Sequence, residues 1–295
     1  MAESTKRYAV ITGANKGIGL EICRQLASNG IVVVLTSRDE KRGLEAVQKL
    51  KDSGLSDYVL FHQLDVTDPS SVVSLAKFIE TRIGKLDILV NNAGVVGATV
   101  NYEAFRAAGF LEKQDADAHA RVNWREAFTQ SLEGAKTCIE TNYHGSKRMV
   151  EAHIGLLQRS NSPRIVNVSS IVGKHQYVSD EWAKGVLSDI ENLTEDKVDE
   201  VVNVYLENFK NSSSAVTPAY IISKAAINAY TRILAKKFPG FLINCVCPGA
   251  VRTDINGRRG ILSMEEGAES PVKLALLPSG GPTGCFFIRK EQSEF

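Results

Sequence analysis

The sequence lacks the cysteine patterns that mark disulfide-rich and zinc-binding proteins. Its cysteines number five, an odd count, and none of them has Cys-x-x-Cys spacing. Neither a disulfide framework nor a metal site is therefore indicated. We predict that these residues are reduced and lie in the core: Cys23, Cys138, Cys245, Cys247 and Cys285.

Long apolar runs and an excess of charge are also missing. No run approaches the roughly 18 apolar residues of a membrane-spanning helix, and residues 1–7 lack the apolar region of a secretory signal. The formal net charge is +1, so there is no basic field for nucleic acid or a membrane surface. We expect a cytoplasmic protein that binds a small molecule, with neither nucleic acid nor membrane as its partner.

Strand-like and helical patterns alternate along the chain. Apolar runs fall at residues 8–12, 31–37, 59–63, 86–90, 164–168, 241–246 and 285–288, and amphipathic stretches such as 41–50, 70–83, 140–157 and 219–237 lie between them. This alternation predicts an α/β fold, a Rossmann-type doubly wound parallel sheet of seven strands with helices on both faces. The length of 295 residues suits a single domain, residues 1–295. Its ligand should bind beyond the carboxyl ends of the strands.

A glycine-rich turn follows the first predicted strand. Gly13, Gly17 and Gly19 lie between that strand and a helix whose apolar face includes Ile18 and Ile22. Glycines allow backbone N–H groups and the positive end of the helix to approach a pyrophosphate, because they carry no Cβ. The expected ligand is a dinucleotide. The alternative is that the glycines only turn the chain.

The end of the second strand bears on the choice of dinucleotide. An NAD-specific domain usually has a carboxylate there for the ribose 2′-hydroxyl, but this chain has Ser37 and Arg38. Together with Lys16 in the glycine turn, Arg38 can place two cations on a 2′-phosphate. The sequence therefore favours NADP(H). Asp39 comes next, which keeps open the alternative that both cations are merely solvated.

Polar residues also follow the third and fourth strands. Asp65, next to Val66, lies where an adenine amino group would be and can accept a hydrogen bond from it. Asp65 can equally cap the following helix, although Asp68 is the more natural cap. Asn92 and Gly94 belong to a small-residue turn that suits close contact between backbone and cofactor.

The candidate catalytic residues come later in the chain. Tyr220 and Lys224 begin a helix after Pro218, and their i,i+4 spacing puts the phenol and the ammonium on one face, about 6 Å apart. A tyrosine has a pKa near ~10, so it needs a nearby ammonium before it exchanges protons usefully near neutrality. Ser169 and Ser170 end a buried strand, where one hydroxyl can donate to a substrate carbonyl.

Asn142 is a further candidate in the middle of a predicted helix. Asparagine lowers helix propensity unless its polar groups are used. Its alternative role is structural, as a satisfied polar residue or a kink beside Gly145.

The order of these motifs resembles the short-chain dehydrogenase/reductase family. Thr-Gly-x-x-x-Gly-x-Gly at residues 12–19 is followed by Asn-Asn-Ala-Gly at 91–94, Val-Ser-Ser at 168–170 and Tyr-x-x-x-Lys at 220–224. Within the family, a long insert, Asp-Glu-Trp at 180–182 and Gly-Cys-Phe-Phe at 284–287 are similar to the plant menthone reductase, neomenthol dehydrogenase and salutaridine reductase group. The resemblance implies an NADPH-dependent, monomeric reductase that converts a cyclic terpenoid or alkaloid ketone to an alcohol.

The resemblance also assigns roles. It implies that Ser170 polarises the carbonyl, Tyr220 protonates it, Lys224 lowers the pKa of Tyr220 and holds the nicotinamide ribose, and Asn142 holds a water that restores the proton. It implies cofactor contacts at Gly13, Asn15, Lys16, Gly17, Ile18, Gly19, Ser37, Arg38, Asp65, Val66, Asn92, Gly94, Tyr220, Lys224, Pro248, Gly249, Val251 and Thr253.

Three long segments depart from simple family members. Residues 95–137 are too long for a plain connection and form either a functional excursion over the site or a mobile flap. Ser170 and Tyr220 are separated by 49 residues, which include a helical insert at about 174–215. By covering the helices through which simple members associate, this insert favours a monomer. Residues 256–269 are predicted to be a substrate lid.

Two other functions remain open. One relative, isopiperitenone reductase, has glutamate at the tyrosine position and reduces a carbon–carbon double bond. Tyr220 therefore favours ketone reduction over enone reduction. A non-catalytic NADP(H) sensor is the other alternative, and the complete set of Ser170, Tyr220 and Lys224 argues against it.

Overall fold

The main sheet carries the predicted motifs at one edge. The computed structural model describes residues 6–109, 121–211 and 217–295, apart from the side chain at position 125. Within these residues the strands of the main sheet are β1 (Tyr8–Ile11), β2 (Val32–Ser37), β3 (Val59–Gln63), β4 (Ile88–Asn91), β7 (Arg164–Val168), β8 (Leu242–Cys247), β9 (Phe286–Ile288) and β10 (Glu291–Ser293). A separate antiparallel pair consists of β5 (Thr99–Val100) and β6 (Phe128–Thr129).

The strand order is that of a doubly wound sheet. It runs β3-β2-β1-β4-β7-β8-β9-β10, and every neighbouring pair up to β9 is parallel. The chain builds outward from β1 in one direction and then returns to continue on the other side from β4. Such a switch point is where α/β sheets bind their ligands. The predicted Rossmann-type fold is confirmed.

The predicted count of seven strands is wrong, because the described part of the sheet has eight. β10 pairs antiparallel with β9, and Arg289 in the turn between them has a φ of 55°. Residues 291–293 are Glu-Gln-Ser, so no apolar alternation marks them as a strand. A short edge strand is held by its backbone hydrogen bonds, and side-chain periodicity does not reveal it.

Helices cover both faces of the sheet. They are α1 (Gly17–Ser28), α2 (Glu40–Leu50), α3 (Pro69–Arg82), α4 (Tyr102–Ala107), α5 (Trp124–Ala127), α6 (Leu132–Ile139), α7 (Gly145–Leu157), α8 (Glu181–Ser188), α9 (Glu195–Asn211), α10 (Ala219–Lys237) and α11 (Met264–Ala275). A π-helical segment, Glu140–His144, joins α6 to α7. No helix in the described ranges has both the length and the apolarity needed to cross a membrane.

Alternate residues of each strand supply two cores. Val10 of β1 and Val34 of β2 pack against α3, α6, α7 and α10, whereas Ile11 and Leu35 pack against α1, α2 and α11. This is the period of two expected of strands buried on both faces. Both cores therefore hold the sheet firmly beneath its carboxyl edge.

The helical insert is fastened to the helices beside it. Asp199 of α9 accepts hydrogen bonds from the Tyr143 hydroxyl at 2.7 Å and from the Lys147 ammonium at 2.6 Å. Val198, Val201, Val202 and Phe209 of α9 are buried. Residues 212–216 of this region lie outside the described part of the chain. The described insert thus covers α10 and α6 and is joined to α7 through Lys147.

We predict that a buried histidine makes the fold sensitive to acid. His153 of α7 has no exposed surface, and burial lowers its pKa to about 4. Above a pH of about 6.5 both folded and unfolded chains carry it neutral, but below that the unfolded chain takes up the proton first. This residue should therefore lower the free energy of unfolding by about 2 kcal/mol at pH 5 relative to pH 7.

The measurement is urea unfolding between pH 7 and pH 5 for wild type and His153→Leu. The variant should lose less stability over this range than the wild type. Equal losses in both proteins would contradict the assignment.

Candidate active site

The glycine turn lies against the end of β4. The φ angles of Gly13 and Gly17 are 63° and 61°, in the left-handed region that favours glycine. A Cβ on Gly13 would lie 3.0 Å from the Cα of Ala93, and one on Gly19 would lie 2.5 Å from Nδ2 of Asn92. The backbone is therefore packed too closely for side chains at Gly13 and Gly19, as a cofactor cradle requires.

Hydrogen bonds hold this turn in place. Asn92 donates through Nδ2 to the carbonyls of Thr12 at 2.9 Å and Gly13 at 3.2 Å, and its own N–H donates to the Thr12 hydroxyl at 2.9 Å. Helix α1 then begins with no acidic residue in its first turn and no side-chain cap from Lys16. A pyrophosphate fits such a helix N-terminus, because the first N–H groups need an acceptor.

The residues after β2 suit a phosphate better than a ribose hydroxyl. Asp39 caps α2 by accepting from the N–H of Arg42 at 2.9 Å, so its carboxylate is used within the helix. Ser37 is buried at the strand end and Arg38 is exposed beside it. Lys16, the second predicted cation, pairs instead with Asp254 at 2.7 Å. Of the two predicted cations, Arg38 therefore lies directly after β2, whereas Lys16 is held at the loop that follows β8.

Asp65 and Asp68, which follow β3, have different structural roles. Asp68 caps α3 by accepting from the N–H of Ser70 at 2.9 Å, as predicted. Asp65 accepts through Oδ1 from the N–H of Thr67 at 2.9 Å and from its hydroxyl at 2.7 Å, which fixes a turn ahead of the helix. Val66 is buried against α7, where a Cβ on Gly145 would lie 2.8 Å from its Cγ2. Asp65 thus has a local structural role, and its contact with an adenine stays a prediction.

Tyr220 and Lys224 share one face of α10, as predicted. The Lys224 ammonium lies 5.6 Å from the centroid of the Tyr220 ring and donates to the carbonyl of Val168 at 2.8 Å. Ser170 lies close enough to the phenol to hydrogen-bond with it. Three of the four predicted catalytic side chains, Ser170, Tyr220 and Lys224, therefore meet at the carboxyl edge of β7.

The two serines have different environments. Ser169 is buried, and its hydroxyl donates to Oδ1 of Asn228 at 2.6 Å inside the core. Ser170 is partly exposed and lies beside Tyr220. Only the second hydroxyl is placed to meet a substrate, which supports the choice of Ser170.

Burial governs the proton affinities here. Burial raises the pKa of Tyr220, and the nearby Cys247 and Cys138 raise it further. The hydrogen bond from Ser170 lowers it. Burial also lowers the pKa of Lys224 to about 8. We expected Lys224 to lower the pKa of Tyr220, but burial is the largest effect on that pKa, and the opposing effect comes from Ser170. The phenol therefore stays protonated at neutral pH, as a proton donor must.

Asn142 links the catalytic helix to the turn after β4. Its Oδ1 accepts from the N–H of Val95 at 2.8 Å, and its Nδ2 donates to the Val95 carbonyl at 2.9 Å and the Ser223 hydroxyl at 3.0 Å. A Cβ on Gly94 would lie 3.3 Å from Oδ1 of Asn142 and 3.7 Å from the Lys224 ammonium. Asn142 also lies within the π-helical segment beside Gly145, and its amide is fully hydrogen-bonded there, so it has the predicted structural role. Its part in a water chain stays a prediction.

The segment after β8 completes the cofactor side. Pro248 and Gly249, whose φ is 90°, turn the chain, and Val251 is buried. The methyl group of Thr253 would lie 3.7 Å from a Cβ on Gly17, so the turn after β8 faces the glycine loop. The predicted cofactor contacts in the glycine turn and in the turn after β8 are thus next to each other, although they are far apart in sequence.

Two loops meet at the rim. Of the predicted excursion 95–137, residues 110–120 lie outside the described part of the chain. Tyr102 of α4 donates to the Ile255 carbonyl at 3.4 Å, and its ring lies 4.5 Å below the Arg259 guanidinium. A cavity of about 360 Å³ lies between these loops, lined by Arg106, Gly109, Arg252, Arg258, Arg259, Gly260 and Ile261. Within the predicted lid 256–269, helix α11 begins at Met264 and packs on α1, so only the part before it is loop.

Several supporting residues were not predicted. The Thr12 hydroxyl accepts from the N–H groups of both Asn92 and Ala93 at 2.9 Å. Ser223 bridges Asn142 to the carbonyl of Tyr220, to which it donates at 2.8 Å. Thr12 lies in the glycine motif and Ser223 in the Tyr-x-x-x-Lys motif, so the sequence could have identified both as supporting residues. Gln130 offered none, because its partners are distant in sequence.

Comparisons with known proteins agree with this arrangement. A family profile described as "short chain dehydrogenase" matches residues 7–181. The chain is 57% identical to (+)-neomenthol dehydrogenase of Arabidopsis thaliana, with 100% of both chains covered. It is 52% identical to (-)-isopiperitenone reductase of Mentha piperita, with 98% of each covered.

A solved structure and a more distant relative extend the comparison. Menthone neomenthol reductase from Mentha piperita matches with a TM-score of 0.86 at 50% identity, over 98% of this chain and 100% of that one. Carbonyl reductase [NADPH] 1 of Mus musculus is 34% identical, with 98% of each chain covered. This chain belongs to the short-chain dehydrogenase/reductase family.

Proposed function

We propose that this protein is an NADPH-dependent carbonyl reductase that reduces a cyclic terpenoid or alkaloid ketone to an alcohol. The observation that carries the proposal is the meeting of Ser170, Tyr220 and Lys224 beside Gly94, at the edge where the glycine turn lies. The names of the relatives above support a ketone of the menthone type.

The residues present fit NADPH. The glycine turn and the uncapped start of α1 suit the pyrophosphate, and Arg38 suits the 2′-phosphate. When bound, NADPH supplies the hydride for the carbonyl carbon. Ser170 donates a hydrogen bond to the carbonyl oxygen, and Tyr220 delivers a proton to it. Lys224, held by the Val168 carbonyl, places its positive charge beside the phenol.

The second candidate is reduction of a carbon–carbon double bond in an enone. It is favoured by the 52% identity to (-)-isopiperitenone reductase. Against it stands Tyr220, since a ketone reductase needs a proton donor at the carbonyl oxygen. A sensor without turnover is disfavoured, because all three catalytic side chains are present and brought together.

We propose also that the protein acts as a cytoplasmic monomer. The insert helix α9 supports the monomer, because its buried apolar side chains cover α10 and α6 and Asp199 joins it to Lys147 of α7. All five cysteines are thiols, as in reducing compartments, which supports the cytoplasm.

Product analysis tests the proposal. The enzyme is incubated with NADPH and either menthone-like cyclic ketones or the matching α,β-unsaturated ketones, and the products are separated by chromatography. We expect alcohols from the saturated ketones. A saturated ketone formed from the enone, with no alcohol, would instead establish the second candidate. Binding of NADPH without turnover of any carbonyl would favour the sensor.

A further inference from the structure

We propose that Gln130 is a positioning residue for Tyr220, and that through it the helical insert is coupled to the catalytic helix. Gln130 lies in the excursion between β4 and α6, 89 residues before the amide that it holds. The inference rests on the proposed function only where activity is the readout.

The start of α10 needs an acceptor that its own sequence does not supply. The first N–H groups of a helix have no partner within the helix, and a side chain at the N-cap usually accepts from one of them. Here the N-cap is Pro218, which makes no side-chain hydrogen bond. The N–H of Ala219 donates instead to Oε1 of Gln130 at 3.0 Å. Ala219 has no exposed surface, so water does not readily replace this acceptor.

This hydrogen bond is made by the residue that precedes the catalytic tyrosine. Tyr220 is the residue directly after Ala219, and both lie in the first turn of α10. Loss of the acceptor would leave a buried N–H unpaired and allow the first turn to move. Small displacements of a catalytic group reduce rates steeply, because the reaction depends on aligned atoms.

Gln130 also contacts two other parts of the site. Its Nε2 donates to the carbonyl of Gly97 at 3.1 Å, three residues after the glycine that lies beside the Lys224 ammonium. Its Oε1 accepts from the hydroxyl of Tyr205 in the insert helix α9 at 3.4 Å. Burial raises the pKa of Tyr205, so that hydroxyl remains a donor. One amide thus joins the insert, the turn after β4 and the catalytic helix.

A second path runs parallel to the first. Asn142 holds both backbone groups of Val95, close to Gly97, and its Nδ2 reaches the Ser223 hydroxyl of α10. The turn after β4 is therefore tied to α10 at two points, and only the Gln130 point includes the insert. Helix α9 also packs directly on α10, and Gln130 adds a hydrogen-bonded connection from α9 to the first turn of α10, where Tyr220 lies.

The test compares Gln130→Met, which keeps the length of the side chain without its hydrogen bonds, with Gln130→Glu, which keeps an acceptor. Tyr205→Phe removes the insert's hydroxyl alone. Asp199→Asn is the matched control, because it weakens α9 at a hydrogen bond that does not involve Gln130. Hydrogen exchange of residues 217–223 is measured in each protein with NADPH bound, together with kcat, KM and melting temperature.

We expect Gln130→Met to exchange faster at 217–223 and to lose about tenfold in kcat, with the KM for NADPH unchanged. Gln130→Glu should recover part of the kcat, and Tyr205→Phe should show a smaller loss of the same kind. Asp199→Asn should lower the melting temperature without changing exchange at 217–223.

A kcat within twofold of wild type in Gln130→Met would overturn the proposal, as would equal exchange effects in Tyr205→Phe and Asp199→Asn. If Gln130→Met does not fold, Tyr205→Phe still decides between these outcomes. If the wild type reduces no carbonyl, the proposed function fails, whereas the exchange measurement still tests the coupling.

Discussion

Tyr220→Phe should remove nearly all turnover while leaving NADPH binding intact. The change removes only the hydroxyl that donates the proton, and general acid catalysis contributes about 10²- to 10⁴-fold to a rate. We therefore expect kcat for ketone reduction to fall by about 10³-fold. The measurement is kcat from NADPH oxidation, with the dissociation constant of NADPH taken from its fluorescence.

Tyr230→Phe provides the matched control, since Tyr230 is a buried tyrosine on the same helix, remote in sequence from the catalytic turn. It should reduce ketones at nearly the wild-type rate. Near-normal ketone reduction by Tyr220→Phe would show that Tyr220 is not the proton donor and would contradict the proposed mechanism.

Gly19→Ala should nearly eliminate NADPH binding. Its Cβ would lie 2.5 Å from Nδ2 of Asn92 and 2.7 Å from the Gly13 carbonyl oxygen, so the turn must move away from Asn92. That movement breaks the hydrogen bonds from Asn92 to the backbone of Thr12 and Gly13. We expect the dissociation constant of NADPH to rise by about 100-fold, equivalent to about 3 kcal/mol.

The control for this change is Gly155→Ala in helix α7, where an added Cβ meets no atom within 4 Å. Alanine there should leave NADPH binding unchanged and stabilise the helix slightly. Titration of both variants by fluorescence makes the comparison. A rise of less than threefold for Gly19→Ala would show that the turn does not cradle the cofactor.

Local spacing predicted the relative positions of candidate side chains where they lie on one helix or strand. The i,i+4 pair Tyr220 and Lys224 lies on one face because helix geometry alone decides it. The strands that precede Ser170 and Asn92 were predictable because both cores bury continuous apolar runs. These predictions needed only periodicity and the rule that parallel strands end at the same edge.

Contacts between distant segments could not be predicted in this way. Lys16 pairs with Asp254 across 238 residues, and Gln130 reaches the start of α10 across 89. Such pairs depend on how the loops pack, which no local pattern encodes. Strand β10 was missed for a related reason, because its polar residues are held by the backbone of β9.

A chain of buried side-chain hydrogen bonds connects β4, β7 and α10. Asn91 of β4 donates to Asn167 of β7 at 2.8 Å, and Asn167 donates to the hydroxyl of Thr231 in α10 at 2.9 Å. The first of these buried hydrogen bonds joins β4 to β7, and the second holds the register of α10 against the sheet, since a shift of α10 by one residue would leave the Asn167 amide unpaired. New substrate preferences can therefore arise by exchanging rim loops, while the reaction that those loops serve remains the same.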